Sequence, residues 1–293
     1  MYGLRVPYAL LRERLIRFLE EDIGFGDVTT ELIIPDGVEV TAQIVAKEPM
    51  VAAGVLEVTV LFEIVGVKVI RSADDGSEVS PGEVVIEVRG PARAILTVER
   101  TALNILMRMS GIATATRRLV NKIREAGLGT RIAATRKTAP GLRYFDKRAV
   151  ITGGGDPHRS SLDEAILIKD NHIAILGDVE KAVKKARSAA SFTKKVEVEV
   201  RTPEEAVEAA KLGADIIMLD NMAPSEVESA MKLLRAEGLR DKVLIEVSGG
   251  ITEENILEYA RLKPDVISLG FLTHSARAVD LSLEIKTVEA DAS

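Results

Sequence analysis

From residue 131 onward the chain repeats one unit, a short β-branched run followed by a stretch with helical spacing. The runs fall at 132–135, 165–169, 196–200, 216–219, 243–247 and 266–269, and helical patterns at 203–212, 225–235 and 253–262 separate several of them. Strands linked through helices pair in parallel, because a crossover must carry the chain back to the end from which the previous strand started. The pattern favours an α/β architecture, a (β/α) barrel or partial barrel, with a doubly wound open sheet as the alternative it leaves standing.

The first part of the chain has another character. Leu10, Leu11, Leu15, Ile16, Phe18 and Leu19 follow helical spacing, whereas 38–47 alternates apolar and polar as a half-buried strand does. Strand-like runs at 67–71 and 83–88 flank the turn-rich Asp74-Asp75-Gly76 and Pro81-Gly82. An α+β layer with an antiparallel sheet is expected there, followed by a long helical pattern over 94–126, broken near Ser110-Gly111.

Composition narrows the chemistry. The chain has 293 residues and no cysteine, so disulfides, thiolate nucleophiles and thiolate metal sites are excluded. A net charge of -6 with 3% aromatic residues gives no basic footprint for nucleic acid and few rings for base stacking. No run reaches the roughly 18 apolar residues of a membrane span, and charged residues interrupt the N-terminal apolar pattern, so a cytoplasmic protein without a signal peptide is expected.

Each apolar run of the repeating part ends at or beside a polar residue or a glycine: Arg136, Lys169, Glu199, Asp220, Ser248 and Gly270. In a (β/α) barrel these positions converge at the C-terminal ends of the strands, where barrel sites are built. One crater would then hold cations, carboxylates and glycine-bearing loops. Arg136, Lys137, His158, Arg159 and Lys169 suit a dianionic acid, arginine through paired hydrogen bonds and lysine as a point charge. Glu199 and Asp220 suit a hydrated magnesium ion or a developing positive centre. Glu197 shares the face of Glu199 but lies deeper. Ser248-Gly249-Gly250, ahead of a helix expected to begin at Thr252-Glu253-Glu254, and Ser268-Leu269-Gly270-Phe271 after the last run suit a phosphate, since late barrel loops and helix N-termini often bind one. Plain tight turns at both places, and surface salt bridges for the single charges, are the competing explanations.

Several segments together carry a family pattern. Glu99-Arg100-Thr101-Ala102-Leu103-Asn104 through Ser110-Gly111-Ile112-Ala113-Thr114 resembles the central helix of quinolinate phosphoribosyltransferases. Thr135-Arg136-Lys137-Thr138-Ala139-Pro140-Gly141, Gly153-Gly154-Gly155 with His158-Arg159, and Ile168-Lys169-Asp170-Asn171-His172 follow in that family's order and approximate spacing. Val196-Glu197-Val198-Glu199-Val200, Leu219-Asp220-Asn221, Ser248-Gly249-Gly250 and Ser268-Leu269-Gly270 complete it.

The resemblance implies an N-terminal α+β sandwich over 1–112, joined by a C-terminal helix at 273–293, and an incomplete (β/α) barrel over 113–272. It implies transfer of a phosphoribosyl group from phosphoribosyl pyrophosphate to quinolinate, with loss of carbon dioxide, in NAD biosynthesis. A homodimer or dimer-based higher oligomer is implied, in which Arg100 of one subunit reaches the active site of the other. Arg136, His158, Arg159 and Lys169 are implied as binders of the quinolinate carboxylates, with Thr135 beside them and Lys137 serving there or toward the pyrophosphate. Glu199 and Asp220 are implied at the ribose hydroxyls and Mg2+, and Ser248, Gly249, Gly250, Ser268, Gly270 and Phe271 at the 5-phosphate. Lys137, Lys169, Glu199 and Asp220 form the expected catalytic set.

Rivals are a related phosphoribosyltransferase of another substrate, a nicotinate phosphoribosyltransferase, and a catalytically silent metabolite-binding protein. His172 and His274 are expected to be structural hydrogen-bonders, since the three histidines fit no zinc spacing.

Overall fold

The computed structural model describes residues 4 and 6–289. The chain divides into two compact units: Met1–Arg117, Tyr144–Gly154 and Ala276–Ser293 form the first, and Arg118–Arg143 with Gly155–Ser275 form the second.

In the first unit, helices α1 (Tyr8–Ile23), α2 (Val28–Ile33) and α3 (Val55–Ile64) accompany strands β1 (Glu39–Ala46), β2 (Met50–Val51), β3 (Lys68–Ser72), β4 (Glu78–Val79) and β5 (Val84–Pro91). Helix α4 (Ala92–Glu125) passes through the boundary between the units. β1, β3 and β5 share a four-stranded sheet with the C-terminal strand Leu281–Glu289, which runs antiparallel to β1 along its other edge; β2 and β4 pair separately.

That last strand corrects the expected C-terminal helix at 273–293, whose final four residues lie outside the described ones. Only Phe271–His274 is helical there. The physical reason lies in the residues themselves, since Leu281, Leu283 and Ile285 alternate with Ser282, Glu284 and Lys286, a period of two, and sit opposite Ala46, Ile44 and Ala42 of β1. By contacts between residues the units divide at Arg117/Arg118 and Ser275/Ala276, within a few residues of the expected 112 and 272.

Tyr144–Gly154, most of helix α5 (Arg143–Thr152), counts with the first unit instead of the barrel. Its charges explain the assignment. Buried Arg148 pairs with Glu57 and Asp75, both at 2.5 Å, and buried Asp146 takes two hydrogen bonds from Arg108, at 2.8 and 2.9 Å. Buried charges of this kind need their partners, and these partners belong to the first unit.

The expected break at Ser110-Gly111 is absent, and α4 is continuous. Fully buried Ser110 turns its Oγ to the backbone of Ala53, accepting from its N–H at 3.1 Å and donating to its carbonyl at 3.2 Å. Gly111 lets the Arg277 backbone close on the helix: a Cβ there would stand 1.9 Å from the Arg277 carbonyl oxygen. The glycine serves a close approach, not a kink. Gly111→Ala is therefore expected to destabilise the protein by about 3 kcal/mol through overpacking, read as a lowered urea midpoint; a midpoint equal to wild type would contradict the contact.

The second unit holds six parallel strands: β6 (Arg131–Ala133), β7 (Ile166–Ile168), β8 (Val196–Val200), β9 (Ile216–Asp220), β10 (Leu244–Ser248) and β11 (Val266–Ser268), in the order β6-β11-β10-β9-β8-β7. Consecutive strands are neighbours from β7 to β11, and β11 then pairs with β6. A ring would need one more seam, between β6 and β7, so this is an incomplete barrel. Asp156 sits against the free edge of β6, exchanging backbone hydrogen bonds with Ile132 and Ala134 at 2.7 and 2.9 Å. Helices α6 (Asp170–Leu176), α7 (Val179–Ala189), α8 (Pro203–Lys211), α9 (Pro224–Ala236), α10 (Ile256–Ala260) and α11 (Phe271–His274) complete the unit.

One set of alternate strand residues is apolar and buried, including Val198, Val200, Ile217, Leu219, Ile245 and Val247. Each such side chain contributes about 1.5–3 kcal/mol by leaving water. The other set, displaced by one residue, carries Glu197, Glu199, Met218, Asp220, Glu246 and Ser248.

Candidate active site

That second set, Glu197 excepted, faces a cavity of about 460 Å³, lined by Leu167, Glu199, Met218, Asp220, Glu246 and Ser248 from the strands, and by Thr135, Arg136, Lys137, His158, Arg159, Lys169, Asn221, Gly249 and Gly250 from the connecting segments. Five of the six strand-end positions expected to converge do so: Arg136, Lys169, Glu199, Asp220 and Ser248. Gly270 is not part of this lining, nor are Ser268 and Phe271. Gly270 packs instead against His274 and the Lys137 side chain. Ser268 is buried, and its Oγ has no hydrogen-bond partner among the described residues.

The cations occupy one part of the wall. Arg136 has its Nε buried without an acceptor among the described residues. Arg159 anchors Nη1 on the Ala165 carbonyl at 3.1 Å. Burial lowers the Arg159 pKa from its ordinary value and facing Arg136 lowers it further, while Glu197 and Glu199 offset part of the effect. Two guanidiniums that repel one another in a half-buried wall favour an anion between them. Lys169, at the N-cap of α6, reaches Glu199 Oε1 with Nζ at 2.6 Å. The expected lysine for the acid and the expected carboxylate for the sugar thus neutralise each other here.

The anionic side is built from adjacent strands. Asp220 ends β9, and its Oδ2 accepts from Asn221 Nδ2 at 2.8 Å. Asn221 has a φ of 54° and donates its backbone N–H to the Ser248 carbonyl at 2.8 Å. Gly249 follows at a φ of 88°, and a Cβ there would lie 2.2 Å from Asn221 Oδ1. No group among the described residues accepts the amide hydrogens of Gly249 and Gly250. The helix expected to start at Thr252-Glu253-Glu254 begins later, at Ile256. Thr252 nevertheless opens a turn, its carbonyl accepting the Ile256 N–H at 3.1 Å and its Oγ1 the Glu254 N–H at 3.3 Å, and Asn255 ties that turn to the loop, its Oδ1 taking the Thr252 N–H at 2.7 Å and its Nδ2 donating to the Gly250 carbonyl at 3.1 Å.

Glu246 is a cavity residue that the pattern of strand ends does not single out. It is 2% exposed on β10, two residues before Ser248, so the period of two that placed Ser248 in the cavity also placed Glu246 there. Its Oε2 lies 3.2 Å from His158 Nε2, and Glu197 Oε1 lies 3.5 Å from the same nitrogen. Glu197 is, as expected, the deeper of the two β8 glutamates, at 1% exposure. His158 Nδ1 accepts the Arg159 N–H at 2.8 Å, so both ring nitrogens are engaged within the protein. His172 and His274 each make local contacts, Nδ1 of His172 accepting from the Lys169 N–H at 2.9 Å and Nδ1 of His274 meeting Ser275 Oγ at 2.7 Å.

Charge in this cluster is finely balanced. Burial opposes a charged imidazole, but Glu197 and Glu246 outweigh it and push His158 up to about 10. Burial raises Glu197, and nearby Glu246 adds to the rise against the pull of His158. The Arg159 amide on Nδ1 opposes an imidazolium, which has no lone pair there. Both tendencies agree on proton count, because a ring with only Nε2–H beside one protonated carboxyl holds as many protons as an imidazolium between two carboxylates.

Comparisons with known proteins cover most of the chain. The model of the quinolinate phosphoribosyl transferase C-terminal domain matches residues 112–284, and that of the N-terminal domain matches residues 27–110. The chain belongs to the quinolinate phosphoribosyltransferase family. A relative in Methanothermobacter thermautotrophicus, named a probable nicotinate-nucleotide pyrophosphorylase (carboxylating), is 52% identical over 268 residues, 92% of this chain and 96% of its own. The human nicotinate-nucleotide pyrophosphorylase (carboxylating) is 44% identical over 240 residues, 82% of this chain and 80% of its own. Among solved structures, the nicotinate-nucleotide pyrophosphorylase of Francisella tularensis superposes with a TM-score of 0.89 at 36% identity, covering 98% of this chain and all of that one.

Because the His158 pKa is raised, its contribution to stability is fully present below about pH 6.5 and is lost as pH rises toward about 10. Urea midpoints measured from pH 6 to pH 10 are expected to fall more steeply for wild type than for the double variant Glu197→Gln/Glu246→Gln, which removes the two carboxylates that raise the proton affinity of the cluster. Parallel slopes would show that the cluster binds no extra proton.

Proposed function

We infer that this chain transfers the phosphoribosyl group of phosphoribosyl pyrophosphate to quinolinate and releases pyrophosphate and carbon dioxide, forming nicotinate mononucleotide for NAD biosynthesis. The observation that carries the reading is the single cavity in which Arg136, Arg159 and Lys169 meet Glu199 and Asp220. The relatives' names supply the reaction, and the cavity supplies a place for each part of it.

The two arginines and Lys169 take the carboxylates of quinolinate, Thr135 lies beside them, and Lys137 serves there or toward the pyrophosphate. A carboxylate that engages Lys169 competes with Glu199, and the freed Glu199 then turns to the ribose hydroxyls with Asp220. The ring nitrogen displaces pyrophosphate at C1 of the sugar through a state with oxocarbenium character. Carboxylates near that carbon stabilise charge present only at the transition state. The ribosylated nitrogen is positive and accepts the electron pair left as the adjacent carboxylate departs as carbon dioxide. The loop with the uncommitted amides of Gly249 and Gly250, beside Ser248, takes the 5-phosphate, and backbone N–H groups of this kind suit it. Ser268, Gly270 and Phe271, outside the cavity lining, are secondary candidates for the same group.

Glu199 and Asp220 fit magnesium, because both offer oxygen and magnesium binds through one or two carboxylates completed by substrate oxygens and water. Bound magnesium would neutralise the departing pyrophosphate. His158 has a further role in this reading: with both ring nitrogens engaged, it shapes the wall more than it contacts the acid. The dimer with Arg100 shared between subunits, and the cytoplasmic location, belong to the same reading. Arg100 is exposed on α4, and among the described residues no helix is long and apolar enough to cross a membrane.

An assay with quinolinate, phosphoribosyl pyrophosphate and magnesium, without ATP, is expected to release pyrophosphate and carbon dioxide in equal amounts. In Arg136→Ala, quinolinate binding should fall by about 10- to 100-fold, the loss of a charge-assisted hydrogen-bonded pair, with phosphoribosyl pyrophosphate binding nearly intact. Equal losses for both ligands would contradict the division of the cavity.

A further inference from the structure

We propose that Glu246 is a positioning residue for dicarboxylate binding, acting through the His158 ring to fix the backbone from which Arg159 reaches the substrate. The proposal rests on the reading above. The chain of contacts is short: Glu246 Oε2 to His158 Nε2 at 3.2 Å, then the Arg159 N–H to His158 Nδ1 at 2.8 Å.

The ring sits where the backbone needs support. His158 has a φ of 54°, in the left-handed region, a conformation that costs a non-glycine residue free energy and persists only when its surroundings enforce it. The enforcement comes from three sides. The His158 N–H donates to Asp156 Oδ1 at 2.7 Å, Asp156 is bonded to the edge of β6, and the ring is held by Glu246 with Glu197 behind it. Arg159 is then fixed at both ends, by its amide on the ring and by Nη1 on the Ala165 carbonyl. Without Glu246 the ring loses its closest acceptor, and the amide end of Arg159 loses a fixed partner. A displacement of about 1 Å in a binding group can cost two orders of magnitude.

A metal site is the competing explanation, since ligand atoms of His158, Glu197 and Glu246 all lie within 4.8 Å of one another. The Arg159 amide decides against it. Nδ1 accepts a hydrogen bond and therefore bears no proton, so the neutral ring carries its proton on Nε2, where a metal would have to bind. Removing that proton as well would require an imidazolate.

Ring-nitrogen NMR on the uniformly labelled protein tests the relay directly, with three histidines to assign by His172→Gln and His274→Gln. Wild type is expected to show His158 with Nδ1 unprotonated and Nε2 protonated. A doubly protonated ring, or the opposite tautomer, overturns the relay. In steady-state kinetics Glu246→Ala should raise the KM for quinolinate about 10-fold or more and leave that for phosphoribosyl pyrophosphate within about twofold. Glu246→Gln, which keeps an acceptor for Nε2–H, should restore quinolinate KM to within about threefold of wild type. An unchanged quinolinate KM in Glu246→Ala, or a Gln variant as impaired as the Ala variant, overturns the proposal. If Glu246→Ala does not fold, the wild-type ring spectrum and the Gln variant still decide it. Failure of wild type to turn over quinolinate would remove the functional reading alone, since the ring tautomer and its dependence on Glu246 do not need substrate.

Discussion

The second unit depends on how it accommodates two glutamates in the interior of a parallel sheet. Glu197 and Glu246 are almost wholly buried on the same face of the sheet, on β8 and β10 either side of β9, where an unpaired carboxylate is costly. His158 answers that cost from the segment that follows the free edge of β6, and it does so only by holding a left-handed backbone conformation. The seam between β6 and β7 is therefore more than an unfinished barrel. It is the place where the chain enters the crater and sets a ring against two carboxylates.

The arrangement of charge above that floor follows from this. Arg136 and Arg159 face one another, Glu197 and Glu199 offset part of the burial of Arg159, and Lys169 is balanced by Glu199. In the proposed reaction an incoming dianion would engage the arginines and compete for Lys169, and Glu199 would then be released toward the sugar. Chemistry of the quinolinate phosphoribosyltransferase kind needs such a division, with anion recognition at one wall and stabilisation of developing positive charge at the other.

The repeating strand and helix pattern, and the polar residues at the strand ends, were legible because period two and period 3.6 leave marks in a sequence. Glu246 was equally legible by period, but an inspection of strand ends stops at Ser248 and passes over an acidic residue deeper in the same strand. The C-terminal strand was missed for a related reason, its alternation of Leu281, Leu283 and Ile285 being overlooked in favour of a helix. Other features have no local mark. Ser110-Gly111 reads as a helix breaker unless the Arg277 backbone beside it is known, and the place of 144–154 in the first unit rests on ion pairs to Glu57, Asp75 and Arg108, distant in sequence.

The central claim is that opposed guanidiniums with Lys169 make this cavity a receptor for two adjacent carboxylates. Calorimetric titration of the wild-type protein with pyridine-2,3-dicarboxylate and with pyridine-3-carboxylate, at one pH and salt concentration, tests it most directly. The account predicts dicarboxylate binding tighter by about 10- to 100-fold, the contribution of one charge-assisted hydrogen-bonded carboxylate. Equal affinities, or a preference for the monocarboxylate, would contradict it.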